Sequence, residues 1–453
     1  ALGYHYTLLS RRAAKVVRSA VARVTGSHTG PLGLLSRAGT RTVGYLCQSR
    51  RMGRMETQIG TAVVEGTTGR QAGERAARQA LSGLPGERVD FCQVFCSVAY
   101  DYEAVLAGIR SVVGDDAALV GCSTATGFTD ETVADDAVAL GLVASDTVSF
   151  HTSIGTGLSD SVSRAVREAV TDLPDAVEDH PYLAAITLHD GLAGVGEELS
   201  LVSQQKLGPK VTVAGGAAAD DHQLEATHVF HGETVTDDAV VFALVAGKER
   251  PVVAIDHGHV PLSDPVEVTD SEGSLVHELD GRPAFAVWRD AVRDSVREEF
   301  GVDVDDLERT SQLLGRIMCE YEFGIDQGGD YKMRWPWVSP ETGDTLNFAV
   351  DVPEGTVLRV MHGAADAQVE SARRTARAAV ERAGDTELAG AFVYDCACRG
   401  IVLGEAFGTA VDAMADELDG PFVGFETYGE VCMGPEQLSG FHNTTTVVLA
   451  LPR

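Results

Sequence analysis

Seven short stretches of this 453-residue sequence set small residues beside polar ones, as ligand-binding loops do: 97–100, 121–127 (Gly-Cys-Ser-Thr-Ala-Thr-Gly), 189–191, 215–220 (Gly-Gly-Ala-Ala-Ala-Asp), 396–399 (Cys-Ala-Cys-Arg), 424–430 (Gly-Phe-Glu-Thr-Tyr-Gly-Glu) and 442–443 (His-Asn). Glycine, lacking Cβ, lets backbone N–H groups approach a bound molecule. A tight turn explains any one stretch; the set points to a binding surface. Gly121, Ser123, Gly215, Gly216 and Asp220 are its candidates in the N-terminal half, and Cys398, Arg399, Tyr428, Glu430 and Asn443 in the C-terminal half. Arg399 suits bidentate recognition of a carboxylate. Glu426 and Glu430 flank Tyr428 and could orient an amine or hydroxyl, although on so acidic a chain two glutamates also read as solvated surface.

Other chemistries have weaker signals. The 121–127 stretch lacks the Lys-Ser/Thr of a P-loop and the following helix of a dinucleotide fingerprint, so nucleotide binding is poorly supported. Cys398 precedes a helix and adjoins Arg399, the setting of a reactive thiolate. A small half-buried residue beside an Arg that clamps a carboxylate or forms a structural ion pair is the favoured reading. No cysteine pair has the spacing of a structural zinc site, and Cys92 in an apolar run reads as a buried thiol. His222, His228, His231 and the pair His257/His259 could bind metal or haem, a role most histidines do not have.

The elements that would carry these residues show an internal repeat. Residues 132–144 (TVADDAVALGLVA) return as 234–246 (TVTDDAVVFALVA), nine of thirteen positions matching at an offset of 102. Upstream of each copy stand an apolar strand (90–98; 183–188), a helix (102–113; 197–205), a second strand (118–120; 211–214) and a small-residue loop (121–127; 215–221). Each unit thus reads β-α-β-loop-β, and a strand-helix-strand crossover implies parallel pairing. The fold class is α/β: tandem pseudo-symmetric β-α-β-loop-β units forming layered sheets, in two domains. A diverged third unit comprises a strand at 389–394, a helix at 404–417, and strands at 421–425 and 444–451. Helices are predicted at 283–300 and 367–382; residues 326–343 are a loop or a hairpin. The boundaries are a tail at 1–54, an N-terminal domain at 56–250 containing the duplication, and a C-terminal domain at 251–453.

Composition limits the partners. The net charge is −31, but residues 1–54 hold ten basic and no acidic residues, which leaves 26 basic against 67 acidic residues beyond them. Such a body repels nucleic acid and anionic membranes, and resembles the surfaces of halophilic archaeal proteins. No apolar run reaches the roughly 18–20 residues of a membrane-spanning helix, so no membrane insertion and a cytoplasmic location are expected. The basic tail fits a transit peptide or a nucleic-acid-binding arm, but an upstream miscalled start, with Met55 as the true one, or a disordered arm is the preferred reading.

The motifs taken together resemble the FIST family. The N-terminal signal is Val120-Gly-Cys-Ser-Thr-Ala125 with the Gly215–Asp220 loop and strands ending Leu-Val-Ala. The C-terminal signal is Cys398-Arg399-Gly400, then Gly424-Phe425, Tyr428-Gly429-Glu430 and His442-Asn443-Thr444. The resemblance implies a sensory module, not an enzyme, that binds a small molecule such as an amino acid and signals to a histidine kinase or chemotaxis receptor, here in trans. Some members bind haem and respond to nitric oxide, so a haem-based gas sensor is the alternative, although no cofactor is the primary expectation. A thiol enzyme using Cys398 is the further alternative.

Overall fold

The computed structural model describes residues 56–338, 343–434 and 440–453; the readings made on residues 1–54 lie outside the described residues. Three α/β units follow one another. The first comprises β1 (Gln58–Glu65), α1 (Gly69–Leu81), β2 (Phe91–Ser97), α2 (Tyr102–Val113), β3 (Ala118–Thr124), β4 (Thr126–Thr129), β5 (Val133–Asp135) and β6 (Ala137–Ala144). The second repeats that order: β7 (Val148–Thr156), α3 (Val162–Thr171), β8 (Tyr182–His189), α4 (Gly196–Leu207), β9 (Thr212–Ala217), β10 (Val229–His231), β11 (Thr234–Thr236) and β12 (Ala239–Gly247). The third begins with β13 (Val252–Asp256).

An insertion then interrupts the third unit: β14 (Val260–Pro261), β15 (Val266–Glu272), β16 (Leu275–Leu279), β17 (Arg282–Pro283), α5 (Ala284–Phe300), α6 (Gln312–Glu320), β18 (Phe323–Asp326), β19 (Tyr331–Arg334), β20 (Pro336–Val338), β21 (Leu346–Phe348) and β22 (Val357–His362). These strands form their own nine-stranded sheet, with a separate apolar core that includes Trp288, Ile317 and Phe323. Of the 326–343 stretch, the described residues hold the turn of the β18–β19 hairpin, β19 and β20. The third unit resumes with α7 (Ala365–Ala383), β23 (Leu388–Cys396), α8 (Ala397–Leu403), α9 (Phe407–Leu418), β24 (Phe422–Thr427), β25 (Glu430–Met433), β26 (Gly440–His442) and β27 (Thr446–Pro452).

The crossovers are parallel as expected: β2 with β3, β8 with β9, β23 with β24. The sheets also exchange strands in a ring. The β4–β5 pair of the first unit joins the third unit's sheet, β10–β11 of the second joins the first's, and β25–β26 of the third joins the second's. All three sheets face one shared core, with Phe95 stacked on Phe425 (centroids 4.3 Å apart) and Phe91 packed on both Phe150 and Phe392. Helices cover the outer faces: α1 and α2 on the first sheet, α3 and α4 on the second, α7 and α9 on the third.

Two of the small-residue stretches are strand where a loop was expected. Gly121 and Ser123 belong to β3, and Gly215 and Gly216 to β9. Their glycines serve close packing: a Cβ on Gly121 would stand 2.1 Å from the Val94 carbonyl oxygen, and one on Gly216 2.7 Å from Thr427 Cγ2. Likewise 424–427 is the end of β24. Reciprocal glycines bring α1 and α2 together, since a Cβ on Gly73 would lie 2.1 Å from the Val105 oxygen and one on Gly108 2.2 Å from the Arg70 oxygen. Gly73→Val is therefore expected to lower the free energy of unfolding by about 3 kcal/mol, read from a urea transition; an unchanged midpoint would contradict that packing. No helix among the described residues is long and apolar enough to cross a membrane.

Candidate functional site

Each unit's last strand is entered through a left-handed residue. Asp136 (φ 47°) precedes β6, Asp238 (φ 46°) precedes β12, and Thr444 (φ 53°) stands before β27. Aspartate tolerates this region; a β-branched threonine is strained there, and such strain persists where the surroundings over-determine it. At Thr444 the surroundings are polar and buried. Its hydroxyl donates to Glu322 Oε1, from the insertion between α6 and β18. Next to it, Thr445 donates to Glu430 Oε2 through its N–H (3.1 Å) and hydroxyl (2.8 Å), and Thr427 donates to Glu430 Oε1. Thr446 donates to Asp395 Oδ2 at 2.6 Å.

Glu430 is thus gripped from the end of β24 and from the residue before β27, and is fully buried. Burial pushes its carboxyl up to about 8, and burial also holds that of Glu322 well above the usual range. His442 lies opposite Glu430 across the β25–β26 ladder, so both side chains share one face. Burial holds its imidazole well below the usual range, so it is neutral at pH 7.

The insertion closes over this strand end. Lys332 and Arg334 of β19 pair with Glu197 at the start of α4 (2.9 and 2.8 Å), and Arg334 donates to the Phe441 carbonyl at 2.9 Å. Asn443 Oδ1 accepts from the Trp335 backbone N–H at 3.3 Å. Several buried polar atoms in this layer have no partner in the protein: Nδ1 and Nε2 of His442, Oε2 of Glu322, and Nε1 of Trp335. Cys319, Cys396 and Cys398 form an apolar patch beside it.

The ten residues singled out in the sequence separate in space. Glu430 and Asn443 lie in the layer just described. Tyr428 donates its hydroxyl to Asp220 at 2.5 Å, and Asp220 also accepts from the backbone N–H groups of Leu224, Glu225 and Ala226. Ser123 Oγ accepts from the His228 N–H at 3.0 Å. Arg399 is fully buried beneath the layer and turned inward: Nε binds Asp395 (2.8 Å), one terminal nitrogen Ser371 Oγ (3.0 Å), the other the Gln368 carbonyl (3.0 Å). It forms a structural ion pair, one of the two roles the sequence left open for it, and its guanidinium is taken up by protein groups instead of facing the loops where a ligand contact was expected. Cys398 does not take up the guanidinium, and its thiol is held well above the usual range, first by the neighbouring Cys319 thiol and also by burial. Glu322, His259, Lys332, Arg334 and Trp335 were not among the ten; Glu322 stands two residues after α6 between Tyr321 and Phe323, where its alternation with aromatics was the available signal.

Among known proteins, the FIST N domain model matches residues 90–282 and the FIST C domain model residues 284–433. The chain belongs to the FIST family, whose domains are associated with sensory signal transduction and small-ligand binding. Similar proteins include uncharacterised proteins of Mycobacterium bovis (27% identical over 402 residues, 85% of this chain and 97% of that one) and Mycobacterium tuberculosis (25% over 401 residues, with the same shares). An uncharacterised protein of Methanocaldococcus jannaschii is 24% identical over 218 residues, 48% of this chain and 41% of that protein. Among solved structures, two cyanuric acid hydrolases align at TM-scores of 0.26 and 0.30, with 11% and 10% identity. They cover 43% and 87% of this chain, and 72% and 100% of their own.

The five histidines that the sequence offered as possible metal or haem ligands each contact other groups of the protein. A Cβ on Gly363 would stand 2.5 Å from His259 Nε2, so backbone covers that nitrogen. His257 Nδ1 accepts from the His259 N–H (3.2 Å), His231 Nε2 meets Thr152 Oγ1 (3.1 Å), and His228 and His222 pack on Tyr102 and Tyr428.

Proposed function

We propose that this chain is a small-molecule sensor, acting without turnover, whose ligand is a polar metabolite of the amino-acid class. It is held where the insertion meets the third unit's strand ends. The observation that carries this reading is the concentration there of buried polar atoms without protein partners, contributed by both bodies: the His442 ring, Glu322 and the Trp335 indole. An unsatisfied buried donor or acceptor costs about 1–3 kcal/mol, so a molecule that pairs with several of them binds with a large gain. The protonated acids and neutral imidazole suit a ligand rich in both donors and acceptors. Arg399 acts beneath the site, holding Asp395 and through it Thr446.

A ligand bridging the two bodies would alter their contact at Lys332, Arg334 and Glu197, a change that a partner in trans, such as a histidine kinase or chemotaxis receptor, could read in the cytoplasm. Calorimetric titration against an amino-acid panel in molar salt is expected to give heat with at least one member; silence from all would count against it. Haem added to the purified protein is expected to leave its Soret band where it stands for free haem, and a shifted band would restore the gas-sensor alternative.

A further inference from the structure

Away from the layer just described, the insertion brings three other potential ligand atoms together. Glu299 stands one residue before the end of α5, Glu320 ends α6, and His362 ends β22. One carboxylate oxygen of each glutamate and a ring nitrogen of the histidine all lie within 4.8 Å of one another. His362 is partly buried, and its Nε2 stands in ion-pair range of both carboxylates, 3.2 Å from Glu299 Oε1 and 3.7 Å from Glu320 Oε1. Two donors each about 2.0–2.2 Å from one tetrahedral ion stand about 3.3–3.6 Å apart, which these separations bracket.

The surroundings brace these donors as second-shell groups brace a metal ligand. The Tyr321 ring stacks on the His362 imidazole, centroids 4.5 Å apart and planes 7° from parallel, and the Tyr321 hydroxyl donates to Glu299 Oε2 at 2.6 Å. Glu320 is buried while Glu299 is exposed, so the trio opens to solvent on one side. The backbone is tied as well, since the Gly363 N–H donates to the Glu320 carbonyl at 2.9 Å.

We propose that Glu299, Glu320 and His362 bind one divalent transition-metal ion of the zinc class, through two carboxylate oxygens and one imidazole nitrogen. Such a mixed N/O set suits zinc or manganese better than calcium, which takes six to eight oxygens. The ion would pin α5, α6 and β22 to one another at the edge of the insertion. This proposal stands independently of the ligand proposed above.

The test uses the full chain, stripped with chelator and titrated with Zn²⁺ against a chromophoric competitor. One equivalent is expected to bind, and Glu299→Gln, a change at an exposed residue, is expected to weaken it at least tenfold. His362→Gln should weaken it further, and Tyr321→Phe about tenfold. Co²⁺ in place of zinc should give a visible spectrum without a thiolate charge-transfer band. The proposal is overturned if no zinc binds, if Glu299→Gln binds zinc as tightly as the parent chain, or if cobalt shows thiolate ligation, because each outcome leaves the ion elsewhere or nowhere.

Discussion

Replacing Arg399 with Met is expected to cost about 3–5 kcal/mol of folding stability, among the largest losses of any single substitution in the third unit. Arg399 and Asp395 are both fully buried and lie one helical turn apart across the β23–α8 junction, joined at 2.8 Å. Methionine fills much of the volume but leaves the Asp395 carboxylate with only the Thr446 hydroxyl to offset its burial. Burial already raises the Asp395 carboxyl even with Arg399 present, so the folded protein favours its protonated form more than the unfolded chain does. Removing the cation strengthens that preference, and the variant's deficit should therefore shrink as pH falls from 7 toward 4. The double variant Arg399→Met/Asp395→Asn should recover part of the loss. Urea transitions at two pH values check all three statements, and an Arg399→Met chain as stable as its parent would show that the pair is not buried.

Glu430→Gln is expected to change how stability depends on pH. With a folded carboxyl at about 8 against an ordinary 4.5, Glu430 keeps its proton in the folded protein and loses it in the unfolded chain throughout that interval. Stability contributed by this residue is therefore full below pH 4.5, falls as pH rises, and is gone above 8. The span corresponds to roughly 4–5 kcal/mol. Glutamine copies the neutral acid and has no proton to lose, so its stability relative to the parent should climb by that order between pH 5 and 8. Guanidinium transitions measured in parallel on the two proteins give the difference directly; a difference constant over that range would contradict a buried, protonated Glu430.

Much of the scaffold was legible in the sequence for a physical reason. β6 and β12 are central strands buried on both faces, so their near-identical apolar runs exposed the duplication, and the parallel crossovers followed from the order of elements. The strand exchange was not legible, because β4–β5, β10–β11 and β25–β26 are short and owe their pairing to another unit's sheet. For the same reason Gly121 and Gly215 looked like loop residues; a strand of small residues next to a close neighbour has the composition of a turn. The partner of Arg399 was not legible, because nothing in the sequence marked Asp395, at the end of β23, as a buried acid. Glu322 and Trp335 reach Thr444 and Asn443 only through the insertion, contacts across more than a hundred residues that no local pattern encodes.

The central claim is that a small polar molecule binds where the insertion meets the third unit. Thermal unfolding of the purified chain in molar KCl, across a panel of amino acids and related metabolites, tests it most directly when run beside His442→Phe, which fills the face opposite Glu430 and removes both free ring nitrogens. A ligand present at 100 times its dissociation constant should stabilise the parent chain by about 2.7 kcal/mol and leave the variant's transition where it stood. A ligand that stabilises both proteins equally, or a panel that moves neither, would contradict the account.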